Sequence, residues 1–441
     1  MRSYILLICC LLSSLSQAQI PNELSAEDKV YGLSKFWQEV NFSYIYYDQI
    51  DQLKWNALFK QYISEVQQTE NDYQYYRLIQ KFSAYLEDGH TDVWLPKYLR
   101  QNIFNGEFGD YHFYLKNFSG RAIVSRVNKS KSGEIPVGSE IIAVNDIPVA
   151  KYMKEFVEPY VSSSTAHVRE DRAVEYLLEA YQGTKFKLTF RLPSGLEKEL
   201  NLSVAACAED SFVPAKEPFK LVDLNWQAND IAVLSINSFN TWDTFSEFKE
   251  KLPELQKAKG LIIDLRENGG GNSGVAKVVL HYLTKDTIFY GPRSQSRKYI
   301  PTLKAWNQSE YYHDFPYRPD TLGIGDRNLL KGKRVVVPTA VLIGHGTASA
   351  AEDFLIYSHE MDHMIKIGEP TYGSTGMPLM FQMPGGGVAR VCTKKDTYPD
   401  GTVFVGVGIQ PDIEVSLDLE DFLADRDSVL QQALNYLNNK L

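Results

Sequence analysis

From residue 222 onward, short apolar runs alternate with amphipathic ones, and no other feature of the 441-residue chain limits its fold so tightly. "IAVLSI", "KGLIIDLR", "RVVVPTAVLIG" and "MIKIG" read as strands, with "TFSEFKEKLPELQKA", "NSGVAKVVLHYL" and "SAAEDFLIYSHE" as helices between them. A strand that is apolar at consecutive positions has to be covered on both faces, and crossover helices provide that cover. The expected fold class is therefore α/β, a layered core over residues 222–441 with mostly parallel strands. Open sheets of this kind bind ligands just beyond the carboxyl ends of their strands, so chemistry is to be sought in the residues that follow each apolar run.

The chain before this core has other textures. Residues 19–104 read as a helical region. "AEDKVYGLSKFWQEV" carries Val30, Leu33, Phe36 and Trp37 at helical spacing, and "WNALFKQYISEVQQ" and "YYRLIQKFSAYLE" repeat the pattern, the last halted by Gly89. Residues 105–208 turn to short strands and tight turns: a strand in "RAIVSRVN", the series "IPVGSEIIAVNDIPV", a helix in "REDRAVEYLLEAY", and "KFKLTFRL" paired with "LEKELNL" through Pro-Ser-Gly. Residues 284–332 are polar, aromatic and irregular, which suits a loop or lid over a site. The first 18 residues combine a positive start at Arg2, the apolar "YILLICCLLSSL" and a small-residue cleavage site after Ala18. They read as a signal peptide, which places the mature chain in the periplasm or outside the cell. Its removal leaves Cys207 and Cys392, which read equally as one disulfide or as two buried thiols.

Composition narrows the partners. A net charge of −9, spread without long blocks, repels phosphate backbones and argues against nucleic acid. Beyond the leader no run of about 18 apolar residues occurs, so no membrane span is expected. No Cys–His set has the spacing of a zinc ribbon.

The stretch "GTASAAEDFLIYSHEMDHM" holds two hydrolase signatures. "HEMDH" fits H-E-x-x-H, in which His359 and His363 would stand one helical turn apart to hold zinc, with Glu360 as the base. The longer form of that motif fails at Lys366, where a glycine belongs, and "MIKIGEP" turns to strand almost at once. Upstream, Ser349 follows the strand ending in "VLIG" and opens a helix, so its hydroxyl would stand at a strand's carboxyl end. A serine there also serves as an ordinary helix cap. His345, four residues earlier, reads as a turn residue. "LIIDLRENGGGNSG" is a second strand running through glycines into a helix. Adjacent glycines let N–H groups face a ligand, but no Lys-Ser or Lys-Thr pair follows, so this is not a phosphate loop. His90, in "LEDGHTDV", reads as an exposed histidine between Asp88 and Asp92, and spacing alone gives it no role.

Taken in order, "DGHT", "IPVGSEIIAVND", "LIIDLRENGGG", "TASAAEDF", "IGEPTYGSTG" and "VGVGIQPDI" resemble the tail-specific, or carboxy-terminal processing, protease family. Within it they resemble most the branch of tricorn core-protease domains and interphotoreceptor retinoid-binding protein. The resemblance covers nearly the whole mature chain. It implies a ClpP/crotonase-like catalytic core, a PDZ-like module at residues 105–208 and no cofactor. The implied activity is that of a serine endopeptidase acting on peptides, unfolded protein or protein C-terminal regions. In it Ser349 is the nucleophile and His90 the general base, with the N–H groups of a glycine within Gly269–Gly271, Gly270 foremost, and of Ala350 as oxyanion donors.

Two departures from the family pattern bear on that site. The bacterial processing branch carries a lysine base at the position of Ser374, and a hydroxyl cannot accept the proton at neutral pH. Lys394 and Lys395 are then the lysines to consider if His90 is not the base. The tricorn-like branch carries a late glutamate where this chain has Val405, which leaves Glu352 and Glu369 as candidates for the acid that orients the histidine. Two rival readings stand beside the peptidase: a peptide- or apolar-ligand-binding protein of the same fold without turnover, and a zinc metallopeptidase through His359, Glu360 and His363. A histidine base of ordinary pKa would carry activity upward through pH of about 6.5.

Overall fold

A computed structural model describes residues 20–306, 311–315 and 325–441. The expected signal peptide, and the parts of the expected lid at 307–310 and 316–324, lie outside the described residues.

The core sheet runs in the order Val222–Gln227, Ile231–Ile236, Gly260–Asp264, Thr339–Ile343, Met364–Gly368, Ile413–Glu414. Its first pair is antiparallel and every other pair parallel. Within the strand Ile231–Ile236, Ala232, Leu234 and Ile236 pack with the helices Asp243–Leu255, Ser273–His281 and Ala350–Tyr357. Ile231 and Val233 pack instead with Val429, Ala433 and Leu437 of the helix Ser428–Asn438. This period-two division of one apolar run makes the three-layer α/β/α core, each buried Leu, Ile or Phe contributing about 1.5–3 kcal/mol. The run "RVVVPTAVLIG" enters the sheet only at Thr339, because Pro338 has no N–H to give to a ladder.

The three N-terminal helices, Ala26–Ser43, Gln52–Gln67 and Asp72–Ala84, each open on a side-chain cap, from Ser25, Asp51 and Asn71. The third ends at Ala84, and it is Glu87, at φ 48°, that lies in the left-handed region beyond it. Gly89 is thus freed for a different task. The apolar cluster of this region is completed by Met383, Ala389, Val391 and Cys392, from far along the chain. They come from the hairpin Leu379–Gln382 and Val388–Val391, which leaves the α/β core and pairs with the strand Asp92–Trp94. Late residues are thereby carried to the turn that holds His90.

The middle region forms a sheet that includes Phe113–Phe118, Arg121–Asn128, Glu140–Val144, Lys185–Arg191 and Glu197–Ser203. Its helix spans Ala166–Glu175 rather than continuing through "YLLEAY". Glu179–Tyr181 is instead a strand paired with Ile103–Asn105, a case of cross-strand pairing overriding local propensity. Cys207 and Cys392 are both free thiols. No helix among the described residues is long and apolar enough to cross a membrane.

Candidate active site

The strand Thr339–Ile343 ends in a turn pressed against its neighbour. A Cβ on Gly346 would stand 2.4 Å from the Arg266 carbonyl oxygen. The Thr347 hydroxyl donates to Leu265 O at 2.9 Å, and Ala348 N–H donates to Asn268 O at 3.0 Å. Ser349 follows at φ 54°, ψ −116°, and the helix begins at Ala350. A non-glycine residue in such a conformation costs about 1–3 kcal/mol and persists only where its surroundings hold it.

Glu352 supplies the hold. Its carboxylate, fully buried, accepts the Ser349 N–H at 2.9 Å, the Thr371 hydroxyl at 2.6 Å, and the N–H groups of Gly373 and Ser374 at 2.8 and 3.3 Å. Burial pushes the carboxyl up to about 8, while these donors pull it the other way. Glu352 therefore clamps the serine backbone and the 371–374 loop; it makes no contact that would orient His90.

The glycine turn closes over the serine from the adjacent strand. A Cβ on Gly270, which sits at φ +98°, would lie 2.7 Å from Ser349 Cβ and 2.9 Å from Ala350 N, so only glycine fits there. The Gly270 N–H, expected to be an oxyanion donor, instead donates to Asn268 Oδ1 at 2.9 Å, while Asn268 Nδ2 donates to Ile236 O at 2.9 Å. The turn uses that bond to hold its own shape. Ala350 N–H, at the helix start, has no acceptor within the helix. The Ser273 hydroxyl, on the helix after the glycines, donates to Asp353 on the serine's helix.

His90 is 8% exposed, not the surface residue its acidic neighbours suggest. The strand after it is paired to Val388–Val391, and the 371–376 loop covers its ring, Gly376 coming so close that a Cβ would stand 3.4 Å from His90 Cβ and Cγ. Asp88 accepts the His90 N–H at 3.1 Å and the Thr91 hydroxyl at 2.6 Å. Gly89 packs on Tyr372 and Ser374, and its carbonyl accepts from Arg390 Nη2 at 2.8 Å. The ring itself meets Ser374, with Nδ1 and Oγ 2.7 Å apart. Burial, then the charges of Arg390 and Lys394, push the imidazole down to about 3. That direction favours the neutral ring near neutral pH and lies below the range near 6.5 expected for a histidine of ordinary pKa.

Ser374 thus joins two halves of one network: its N–H is bonded to the clamp of Ser349, and its hydroxyl to His90. No hydrogen bond links Ser349 Oγ to His90 directly in this state. Spacing along the chain assigns Asn268, Thr371 and Ser374 no role; their one signal is their place beside the glycines and within "TYGSTG".

The other candidates fall elsewhere. Lys394 is salt-bridged to the fully buried Asp396 at 2.8 Å; burial acts to lower its pKa, but that carboxylate and Asp353 outweigh it and raise the pKa, which favours the ammonium over a free base. Lys395 lies on the same strand, opposite Gln295. Glu369 feels the charges of His345 and Asp171 rather than His90. His345 is bound to Asp171 at 2.6 Å and lies 4.4 Å from the ring of His167, which ties the core to the helix Ala166–Glu175. The H-E-x-x-H reading is not supported: the helix ends at Tyr357, so His359, Glu360 and His363 do not share a helical face, and they do not lie on its outer turn. The His359 ring packs 4.8 Å from Tyr398, and His363 Nε2 is 2.9 Å from the Leu283 carbonyl oxygen. Val405 packs against the apolar clusters of both the core and the helical region.

With this geometry in hand, comparison with known proteins is informative. Residues 230–415 match peptidase family S41. The carboxy-terminal processing protease CtpA of Bacillus subtilis (strain 168) is 28% identical over 246 residues, 55% of this chain and 45% of that protein. The chloroplastic carboxyl-terminal-processing peptidase 2 of Arabidopsis thaliana is 24% identical over 189 residues, 41% of this chain and 31% of that protein. The chain spans less than half the length of these curated relatives. Among solved structures, mature CPAF complexed with lactacystin matches with a TM-score of 0.67 and 15% identity, over 94% of this chain and 99% of that one. Mature CPAF alone gives 0.65 and 15% over 94% and 96%. That likeness is one of fold.

Proposed function

We propose that this chain, whose residues 230–415 match peptidase family S41, is an exported serine endopeptidase that cleaves peptides or protein C-terminal regions. One observation carries the reading. A strained serine at the carboxyl end of a parallel strand is held by a buried carboxylate, and the same carboxylate holds the loop whose hydroxyl meets a buried, neutral histidine.

In the reaction, Ser349 Oγ attacks the scissile carbonyl carbon as its proton passes to His90 Nε2. For Nε2 to be the basic nitrogen, Nδ1 must carry the ring's one proton and donate it to Ser374 Oγ. Collapse of the tetrahedral intermediate breaks the C–N bond, His90 returns the proton to the leaving amine, and water then releases the acyl group by the same path. The oxyanion rests on Ala350 N–H and on a second N–H from Gly269 or Gly271, Gly270 being bonded to Asn268. Each such donor is worth about 3–4 kcal/mol in other acyl-transfer enzymes. The missing direct bond between Ser349 and His90 is compatible with catalysis, since such contacts tighten when substrate binds.

Residues 105–208 are proposed to be a PDZ-like module that adds a substrate segment as a strand. The free edge of Phe113–Phe118 is covered by the helix Ala166–Glu175, to which Asn117 is bonded through Asp171 at 2.8 Å, so strand addition there requires that contact to open. Val405, standing where the related branch has an acid, favours the rival reading of a binding protein without turnover. Ser349→Ala separates them. It should abolish peptide hydrolysis and labelling by a fluorophosphonate while the fold stays intact; a wild-type protein that binds peptides but neither cleaves them nor takes the label would establish the rival.

A further inference from the structure

Between the helix Asp72–Ala84, the strand Asp92–Trp94 and the middle region lies a cavity of about 630 Å³, within the range of small-ligand sites. Ser349 is not on its lining, but Gly89, Tyr372 and Arg390 are, so it adjoins the His90 turn and the Ser374 loop from behind. Its walls are mixed: Trp94, Tyr152, Phe156 and Tyr176 form an aromatic side, and Lys185, Asp92 and Glu179 are charged members of the same lining.

Three guanidinium groups reach this cavity, and they differ in one respect. Arg77 lies 4.0 Å from Glu179 and 3.9 Å from the centre of the Tyr160 ring, and Arg172 is bonded to Glu175 at 2.6 Å. Arg390 forms no salt bridge among the described residues, although its charge acts on the carboxyls of Asp88 and Asp92. Its Nη2 donates to the Gly89 carbonyl at 2.8 Å, its plane lies 4.9 Å from the Trp94 ring, and its Nε is buried without a hydrogen-bond partner. Ser162 Oγ, on the same lining, is likewise buried and unpartnered. Asp92 stands opposite Arg390 in strand register and feels its charge, but its Oδ1 accepts the Val93 N–H at 2.7 Å and it forms no salt bridge with the guanidinium. A half-buried, planar guanidinium that forms no salt bridge and keeps an unpartnered Nε is matched by a carboxylate, which it binds with two parallel N–H donors. The aromatic side matches an apolar body.

We propose that this cavity binds an apolar carboxylate, with the anion on Arg390 and the apolar part against Trp94 and Phe156. The carboxylate is either that of a small aromatic acid or that of a peptide's last residue. The proposal goes beyond the peptidase reading and is independent of it, since no step of the hydrolysis uses the cavity.

The test uses the full chain with Ser349→Ala, so that no probe is cleaved. N-acetylphenylalanine, N-acetylphenylalaninamide and a pentapeptide ending in phenylalanine are titrated, with binding read by calorimetry and by tryptophan fluorescence. Saturable one-to-one binding of the acid is expected, with the amide at least tenfold weaker. Arg390→Gln should weaken the acid tenfold or more. Because that change also removes the bond to Gly89, Phe156→Ala, at the half-exposed mouth, provides a second variant, expected to weaken the acid severalfold with circular dichroism unchanged. Equal binding of peptide and acid identifies the small acid as sufficient, whereas a peptide at least tenfold tighter identifies the chain end. Equal binding of acid and amide, no binding of the acid, or full affinity in both variants would overturn the proposal. None of these outcomes bears on hydrolysis or fluorophosphonate labelling by the wild-type chain.

Discussion

Ser374→Ala is the most informative perturbation of the proposed site, because it removes one contact and leaves its neighbours in place. Ser374 is fully buried and His90 nearly so, and their side chains meet at 2.7 Å. Deleting the hydroxyl leaves an imidazole nitrogen buried without a partner, which costs about 1–3 kcal/mol. The Ser374 N–H remains bonded to Glu352, so the clamp on Ser349 survives and the fold should change little. The loss falls on the orientation and tautomer of the base. At about 1.36 kcal/mol per tenfold in rate, kcat should fall by about 5- to 150-fold. KM should hold, since Ser374 acts through His90 as a positioning residue. Steady-state kinetics on an internally quenched peptide, with the labelling rate of a fluorophosphonate as a second readout, measure this. Ser374→Thr, which keeps a hydroxyl, should recover much of the loss. A Ser374→Ala enzyme with kcat within about twofold of wild type would refute the argument that this hydroxyl orients the base.

Three further outcomes follow from the same geometry. With His90 held near 3 by burial, kcat/KM should show no limb near 6.5; an inflection there would mean that the ring is solvated in the working enzyme. Glu352 has a folded-state pKa of about 8, above its ordinary 4.5, so its contribution to stability is full below about 4.5 and is lost as pH rises through about 8. Glu352→Gln cannot titrate, so its Tm should vary less between pH 5 and 9 than that of wild type, and parallel curves would count against this account. The same variant sets an amide N–H₂ against two of the four donors, since each Glu352 oxygen accepts from two, so its turnover should fall as the clamp on Ser349 weakens. Gly270→Ala would place a methyl group 2.7 Å from Ser349 Cβ at φ +98°, so activity should be lost and stability reduced by roughly 1 kcal/mol or more; a fully active variant would show that the glycine turn is not closed on the serine.

Much of this was legible without coordinates. The α/β core follows from apolar runs of strand length separated by helical periods, a pattern set by neighbours two to four residues apart. The placement of Ser349 follows from the same local logic, a strand ending and a helix beginning around one small residue. Ordered motifs then connected that serine to a family of peptidases, and to His90 in a different part of the chain. The misplaced boundaries differ in kind: "YLLEAY" leaves its helix because Ile103–Asn105, far earlier in the chain, offers a strand to pair with, whereas the helix after Ser349 simply stops at Tyr357, short of "HEMDH".

The state of the site was not legible, because it rests on contacts between residues that the chain keeps far apart. His90 and Ser374 are 284 positions apart and meet because a late hairpin returns to pair with Asp92–Trp94. Burial there, rather than residue type, takes the imidazole from its ordinary range to about 3, since a low-dielectric setting penalises the charged form. The same packing gives Ser374, an unusable base by its chemistry, a role as the partner of one. Residue identity along the chain determined which groups were available for acyl transfer; the solvent each group loses and the partner each one meets were determined only when distant segments packed together.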